Sequence, residues 1–238
     1  VQLSPPSGPD PDVADLAAAV RDANDKVGAA PAVTVLFPAG RQEQGVASLA
    51  QWAAKGAHLL EVDLMLTPGD VLRLDAPLSW TSAAVSLAAW WAGIAITLDE
   101  DAEVVVAHED RLTETVGDDV YVLGDRIDGS PTTETAVEPW VRAVQTFPDH
   151  PPLPRATSDA TALRAGGRAV TQREMLDQAR AISPGSGTIG LDAADVDPLL
   201  GLLAVAVRPL VQHRPTVVLR GTDRSAAAGD RVTTWLTR

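Results

Sequence analysis

Cysteine is absent from the 238 residues. That excludes disulfides, thiolate nucleophiles and thiolate zinc sites. Lysine occurs only at Lys26 and Lys55, so arginine carries almost all of the positive charge. The net charge is -13. Nucleic acid and anionic membrane are therefore not expected as partners, because phosphate binding needs clustered cations. No apolar run reaches bilayer length; the longest, residues 83–96, is interrupted by Ser86 and Gly93. The opening VQLSPPSGPDPD has neither the basic region nor the apolar core of a signal peptide, and a cytoplasmic protein is expected. No G-x-S-x-G elbow occurs, which withholds support from a serine hydrolase of the α/β type. His58, His108, His150 and His213 show no ligand spacing, so no metal site is expected.

What is present is an alternation of short β-branched runs and helical periodicity. Residues 1–12, rich in Pro, Ser and Gly, predict a disordered N-terminal segment. Residues 13–238 predict a single α/β domain, with the Pro-rich stretch 148–158 as the meeting point if there are two subdomains. Helices are predicted over 13–27 with Asp12 as N-cap, and over 48–60, 79–91, 135–146, 171–182, 198–211 and 226–236. Strands are predicted over 32–37, 71–74, 94–98, 103–107, 120–123, 188–191 and 216–219. Successive strands joined by helices imply parallel sheets covered by helices on both faces, with right-handed crossovers. Thr171 and Glu174 have capping-box spacing.

The stretch 45–97 carries a helix, then Pro68-Gly69-Asp70-Val71, a strand, a second helix ending at Ala92-Gly93, and the strand Ile94-Ala95-Ile96. Further on, AVTQREML at 169–176 precedes the helix and strand of 199–219. In order and spacing these pieces resemble the adenylate-forming enzymes, the acyl-CoA synthetase and AMP-dependent ligase superfamily. The whole pattern looks most like a short actinobacterial branch of it. The resemblance implies the fold of part of the N-terminal domain of those enzymes.

The departures bear on activity. The resemblance implies a Ser/Thr/Gly-rich phosphate loop ending in Pro-Lys just before the helix at 171. Such a loop works through backbone N–H groups that cradle phosphate oxygens. In its place stands SDATALRAGGRAVTQ, where only Gly166 and Gly167 remain, with Arg168 at the Lys position. These three are the residual cofactor-binding candidates; a plain turn is the competing reading of the Gly pair. The aromatic and His pair implied after the strand at 188–191 is replaced by Asp192, Asp195 and Asp197. The adenine-binding motif and the mobile C-terminal domain with its catalytic Lys have no residues here. Together these readings imply a degenerate, truncated relative with no catalytic residue and no cofactor, acting by binding or interaction. The small-molecule ligand stays open, as does a homodimer or a protein partner.

The alternative is a minimal or partner-completed ligase that activates a carboxylate with ATP or AMP and magnesium. It would need Arg164, Arg168 or Arg173 in place of the missing Lys. Two other motifs have simpler readings. Gly185-Ser-Gly-Thr-Ile-Gly190 fits a dinucleotide fingerprint, but a helix precedes it and a strand follows, the reverse of the order required. The acidic run 99–103 reads as a solvated loop after a strand. Trp90 and Trp91 point about 100° apart on one helix. One is expected on the sheet; the other, with Trp80, is expected either in the core or at a pocket or interface.

Overall fold

A computed structural model describes residues 12–185 and 187–237. Apart from Asp12, the expected disordered segment lies outside the described residues. Helix α1 (Leu16–Val27) is capped by Asp15, whose carboxylate accepts a 2.7 Å hydrogen bond from Ala18 N–H. The cap is therefore three residues later than the sequence pattern placed it. Strand β1 (Pro31–Phe37) is followed by β2 (Gly40–Gly45). Helix α2 (Val46–His58) runs into a π-helical turn at Leu59–Asp63. Then come β3 (Val71–Asp75), α3 (Trp80–Trp91), β4 (Ala95–Thr97), β5 (Val104–His108), a 3-10 turn at Glu109–Glu114 and β6 (Asp119–Leu123). Strand β7 (Glu138–Pro139), α4 (Trp140–Val144), β8 (Thr161–Ala165), β9 (Arg168–Thr171) and α5 (Gln172–Ala181) follow. The chain continues through β10 (Thr188–Asp192) into one helical stretch, α6 (Pro198–Leu202), a π-helical turn at Leu203–Val207 and α7 (Arg208–Gln212). It ends with β11 (Thr216–Leu219), a 3-10 turn at Arg224–Ala227 and β12 (Val232–Leu236).

Two mostly parallel sheets result. One has the order β12-β10-β11-β1-β2, the other β7-β6-β5-β3-β4-β8-β9. Among the described residues, only the β1–β2 and β8–β9 pairs are antiparallel. The chain leaves the first sheet after β2 and returns to it at β10. The Pro-rich stretch 148–158 thus lies within the portion that builds the seven-stranded sheet. No helix among the described residues is long and apolar enough to cross a membrane.

Helix α3 is the axis of the core. All its residues from Trp80 to Trp91 are buried, as expected of a helix apolar on every side. It packs on α1, α2, β1, β3 and the π-helical turn 203–207. Its alanines let α2 come close: a Cβ at Gly56 would lie 2.7 Å from Ala88 Cβ and 2.9 Å from Trp140. Ser79 and Ser82 form a reciprocal capping box at its start, and Gly93, at φ +78°, ends it. Trp80, Trp90 and Trp91 are all buried; Trp90 Nε1 donates to Ala162 O at 2.6 Å and Trp91 Nε1 to Pro152 O at 2.9 Å. The three rings serve the core, not an exposed interface.

Two predicted helices are corrected. Over 135–146 only Trp140–Val144 is helical, and Glu138–Pro139 is a short strand. Pro139 forces an extended conformation on the residue before it, which stops the helix from starting earlier. The expected last helix over 226–236 is a 3-10 turn followed by β12. The β-branched and aromatic residues of Val232–Leu236 suit the pleated edge beside β10. There Gly190 makes room for Trp235, whose ring would lie 2.6 Å from any Cβ added at that position.

Candidate functional site

The C-terminal ends of β3, β4 and β10 face a cleft of about 200 Å³ between the two sheets. Open α/β sheets present their ligands at this end of the strands. Leu74, Leu98, Val196 and Leu202 are among its apolar lining. Pro77 and Leu78 contribute from the loop that enters α3. The polar members are Ser82 and Arg111. Both are engaged within the protein. Ser82 Oγ accepts from Ser79 N–H and donates to Ser79 O, each at 2.9 Å. Arg111 is ion-paired with Asp75. Asp75 also holds Arg73 at 3.1 Å, and Arg73 reaches Asp101 at 3.6 Å.

A second polar cluster ties the two sheets together at the same strand ends. Arg220, just past β11, makes a bidentate pair with Asp125, just past β6, at 2.5 and 3.1 Å. His108, at the end of β5 and buried, places Nε2 3.4 Å from the same carboxylate. His108 and Arg220 together hold the Asp125 carboxyl down to about 2, against the opposing effect of partial burial. Gln42 of β2 donates to the carbonyls of Asp125 and Arg126 at 3.0 and 2.7 Å. Glu109 accepts from Thr132, Thr133 and Asp125 N–H groups. Partial burial works against its charge, but these hydrogen bonds keep its carboxyl below the ordinary range. Residues 42, 108, 125 and 220 have no spacing that sequence reasoning could have joined.

The three candidates from the sequence lie at one tip. Gly166 and Gly167 are the two-residue turn of the β8–β9 hairpin, at φ +56° and +73°. Two consecutive left-handed residues make the tight turn whose twist matches the flanking strands. Ala165 pairs directly with Arg168 across it, so no loop intervenes. Gly166 N–H donates to Asp99 Oδ2 at 2.8 Å, and Asp99 directly follows Leu98 of the cleft wall. Arg168 is exposed on the returning strand; hydrogen bonds from Thr171 hold the Glu174 carboxyl below its ordinary range, with a lesser contribution from the Arg168 charge. Of the other arginines considered, Arg173 is exposed and Arg164 half-buried. The Thr171–Glu174 capping box forms as its spacing implied. Behind it Gln172, fully buried, donates to Trp90 O at 2.7 Å and accepts from Leu16 N–H at 2.9 Å.

Comparison with known proteins places this architecture. No family model matches the chain. A TIGR03089 family protein of Mycobacterium tuberculosis (strain ATCC 25618 / H37Rv) is 32% identical over 182 residues, covering 69% of this chain and 74% of that protein. The solved acyl-CoA synthetase of Brucella canis matches with a TM-score of 0.73 at 17% identity, over 99% of this chain and 48% of its own. Coronafacic acid ligase from Pectobacterium brasiliense matches at 0.69 and 13% identity, over 87% and 45%. The amide bond synthetase McbA from Marinactinospora thermotolerans matches at 0.66 and 19% identity, over 93% and 48%. The chain spans about half the length of these solved proteins, and at such identities they speak for the fold alone. The fold is that of the N-terminal domain of adenylate-forming enzymes. The chain belongs to the TIGR03089 family.

Proposed function

We propose that the chain is a non-catalytic, binding member of the adenylate-forming superfamily, which takes a small, largely apolar ligand in the cleft between its two sheets. One observation carries this reading. Where the superfamily pattern calls for a phosphate-cradling loop, the chain makes a two-residue hairpin turn, and a carboxylate, Asp99, accepts from its first N–H. A phosphate needs several converging N–H donors and a cation. Here a negative charge already stands at the turn, because Asp99 accepts from Gly166 N–H. These residues do not fit a nucleotide triphosphate. The cleft supports the binding half of the reading: it is concave, lined mainly by apolar side chains and located at the strand ends.

The test is pyrophosphate exchange into ATP by the purified chain, with a panel of aliphatic and aromatic carboxylic acids and magnesium. The reading expects no exchange above that of a heat-denatured sample. Exchange that depends on one of the acids would overturn it.

A further inference from the structure

Among the described residues that line the cleft, Arg111 alone carries a charge. Whether that charge is free decides which head group the cleft can hold. Arg111 sits in the 3-10 turn that follows β5, and Asp75 ends β3. Parallel pairing of those strands sets Asp75 opposite Ala107, shortly before the turn, so the guanidinium reaches back to the carboxylate. Arg111 Nη1 donates to Asp75 Oδ1, and Arg73 Nη2 donates to Asp75 Oδ2 at 3.1 Å. Both carboxylate oxygens are engaged, and the Asp75 side chain is only 14% exposed. Arg73 also reaches Asp101 at 3.6 Å. Two guanidinium groups thus face two carboxylates, and the set is neutral.

A ligand carboxylate finds no uncompensated cation in this cleft. To pair with Arg111 it must share the guanidinium with Asp75, which brings two like charges onto one partner. Left unpaired against the leucine and valine side chains, it loses hydration that nothing replaces. Ser82 cannot help, because its hydroxyl proton is already donated to Ser79 O. An uncharged head group meets neither penalty. It has far less hydration to lose, and its alkyl chain makes the same apolar contacts.

We infer that Asp75 determines the specificity of the cleft: by occupying Arg111 it makes the cleft select a short aliphatic alcohol over the carboxylate of the same length. At about 200 Å³ the cleft is well below the roughly 300–1,000 Å³ of drug-sized sites, so a chain of about six carbons suits it. The inference rests on the proposed role of the cleft as the binding site.

The experiment titrates the full chain with hexanol and with hexanoate at neutral pH, following the methyl resonances of Leu74, Leu98, Val196 and Leu202 by NMR. Hexanol is expected to shift these methyls saturably, with a dissociation constant about tenfold below that of hexanoate. In Asp75→Asn, which releases Arg111, hexanoate should gain about tenfold while hexanol stays the same. If that variant does not fold, Arg111→Gln replaces it, since the Arg111 side chain is 53% exposed. There the affinity for hexanoate should change by less than about threefold, because the charge removed was already neutralised. Hexanoate binding the native chain as tightly as hexanol would overturn the selection and leave the cleft as a binding site. So would a folded Asp75→Asn with no gain for hexanoate, or a tenfold loss of hexanoate in Arg111→Gln. No methyl shift with either ligand would overturn the cleft reading, and this inference with it.

Discussion

The carboxylate of Asp99 accepts a 2.8 Å hydrogen bond from the backbone N–H of Gly166. The two residues lie in different loops, one past β4 and one between β8 and β9, and parallel pairing of those strands brings them together. The bond turns the position expected to receive an anion into one that already has one. The Gly166–Gly167 turn then serves the hairpin, and its substitution has a purely conformational cost. No atom lies within 4 Å of a Cβ added at either glycine. Gly166→Ala and Gly167→Ala should each destabilise the chain by about 1 kcal/mol, the left-handed penalty of an L-residue. Urea unfolding would show this as a lower midpoint with an unchanged slope.

The Arg220–Asp125 pair joins the two sheets, and its pH dependence has a definite sign. The Asp125 carboxyl is lowered to about 2 from the ordinary 3.8. A depressed acid contributes stability above its unfolded value and loses it as pH falls through the folded value. The native chain should therefore lose this contribution between about pH 4 and pH 2. The side chain is 34% exposed, so solvent screening reduces the contribution to about 1 kcal/mol. Asp125→Asn should be less stable by about that amount at pH 7 and should lack this part of the acid limb. Thermal unfolding of both proteins across that range is the measurement.

Gln172 bridges α1, α3 and α5 with two buried hydrogen bonds. Gln172→Ala leaves Leu16 N–H without its partner, removes one of the donors to Trp90 O, which keeps Gly93 N–H at 3.2 Å, and opens a void. The loss should be about 2 kcal/mol, since a buried orphan costs about 1–3 kcal/mol. Native-state hydrogen exchange should locate the damage at the first turn of α1, with Leu16 exchanging fastest.

Gly56 sets the distance between α2 and α3. An added methyl would meet Ala88 Cβ at 2.7 Å and the Trp140 ring at 2.9 Å. Gly56→Ala raises helix propensity but forces the helices apart, and the packing cost of about 1–3 kcal/mol wins. Adding Ala88→Gly should recover part of the loss. A double-mutant cycle by urea unfolding would measure the recovery.

Much of the fold was legible because its strands are buried β-branched runs and its helices alternate with them. Residues 32–37, 188–191 and 216–219 needed no tertiary information. Where the pattern was misread, a local rule lost to pairing. Residues 232–236 form a strand because β10 offers an edge. Strand β2, Gly40–Gly45, is polar and has no strand signature; β1 organises it. The Gly166–Gly167 turn was readable as a turn, because two adjacent glycines accept left-handed backbone. Its partner Asp99 was not, since only the β4–β8 pairing brings residue 99 to residue 166. The cleft was foreseeable in place, at the strand ends, but not in its lining, which the sequence distributes from Leu74 to Leu202.

The central claim is that the turn at Gly166 holds the chain's own carboxylate and no nucleotide. Isothermal titration of the folded chain with ATP, AMP and an acyl-CoA, with magnesium present, tests it most directly. The account predicts no saturable heat with any of them. Saturable binding of ATP or AMP that Arg168→Ala or Arg173→Ala weakens would contradict it and restore a ligase reading.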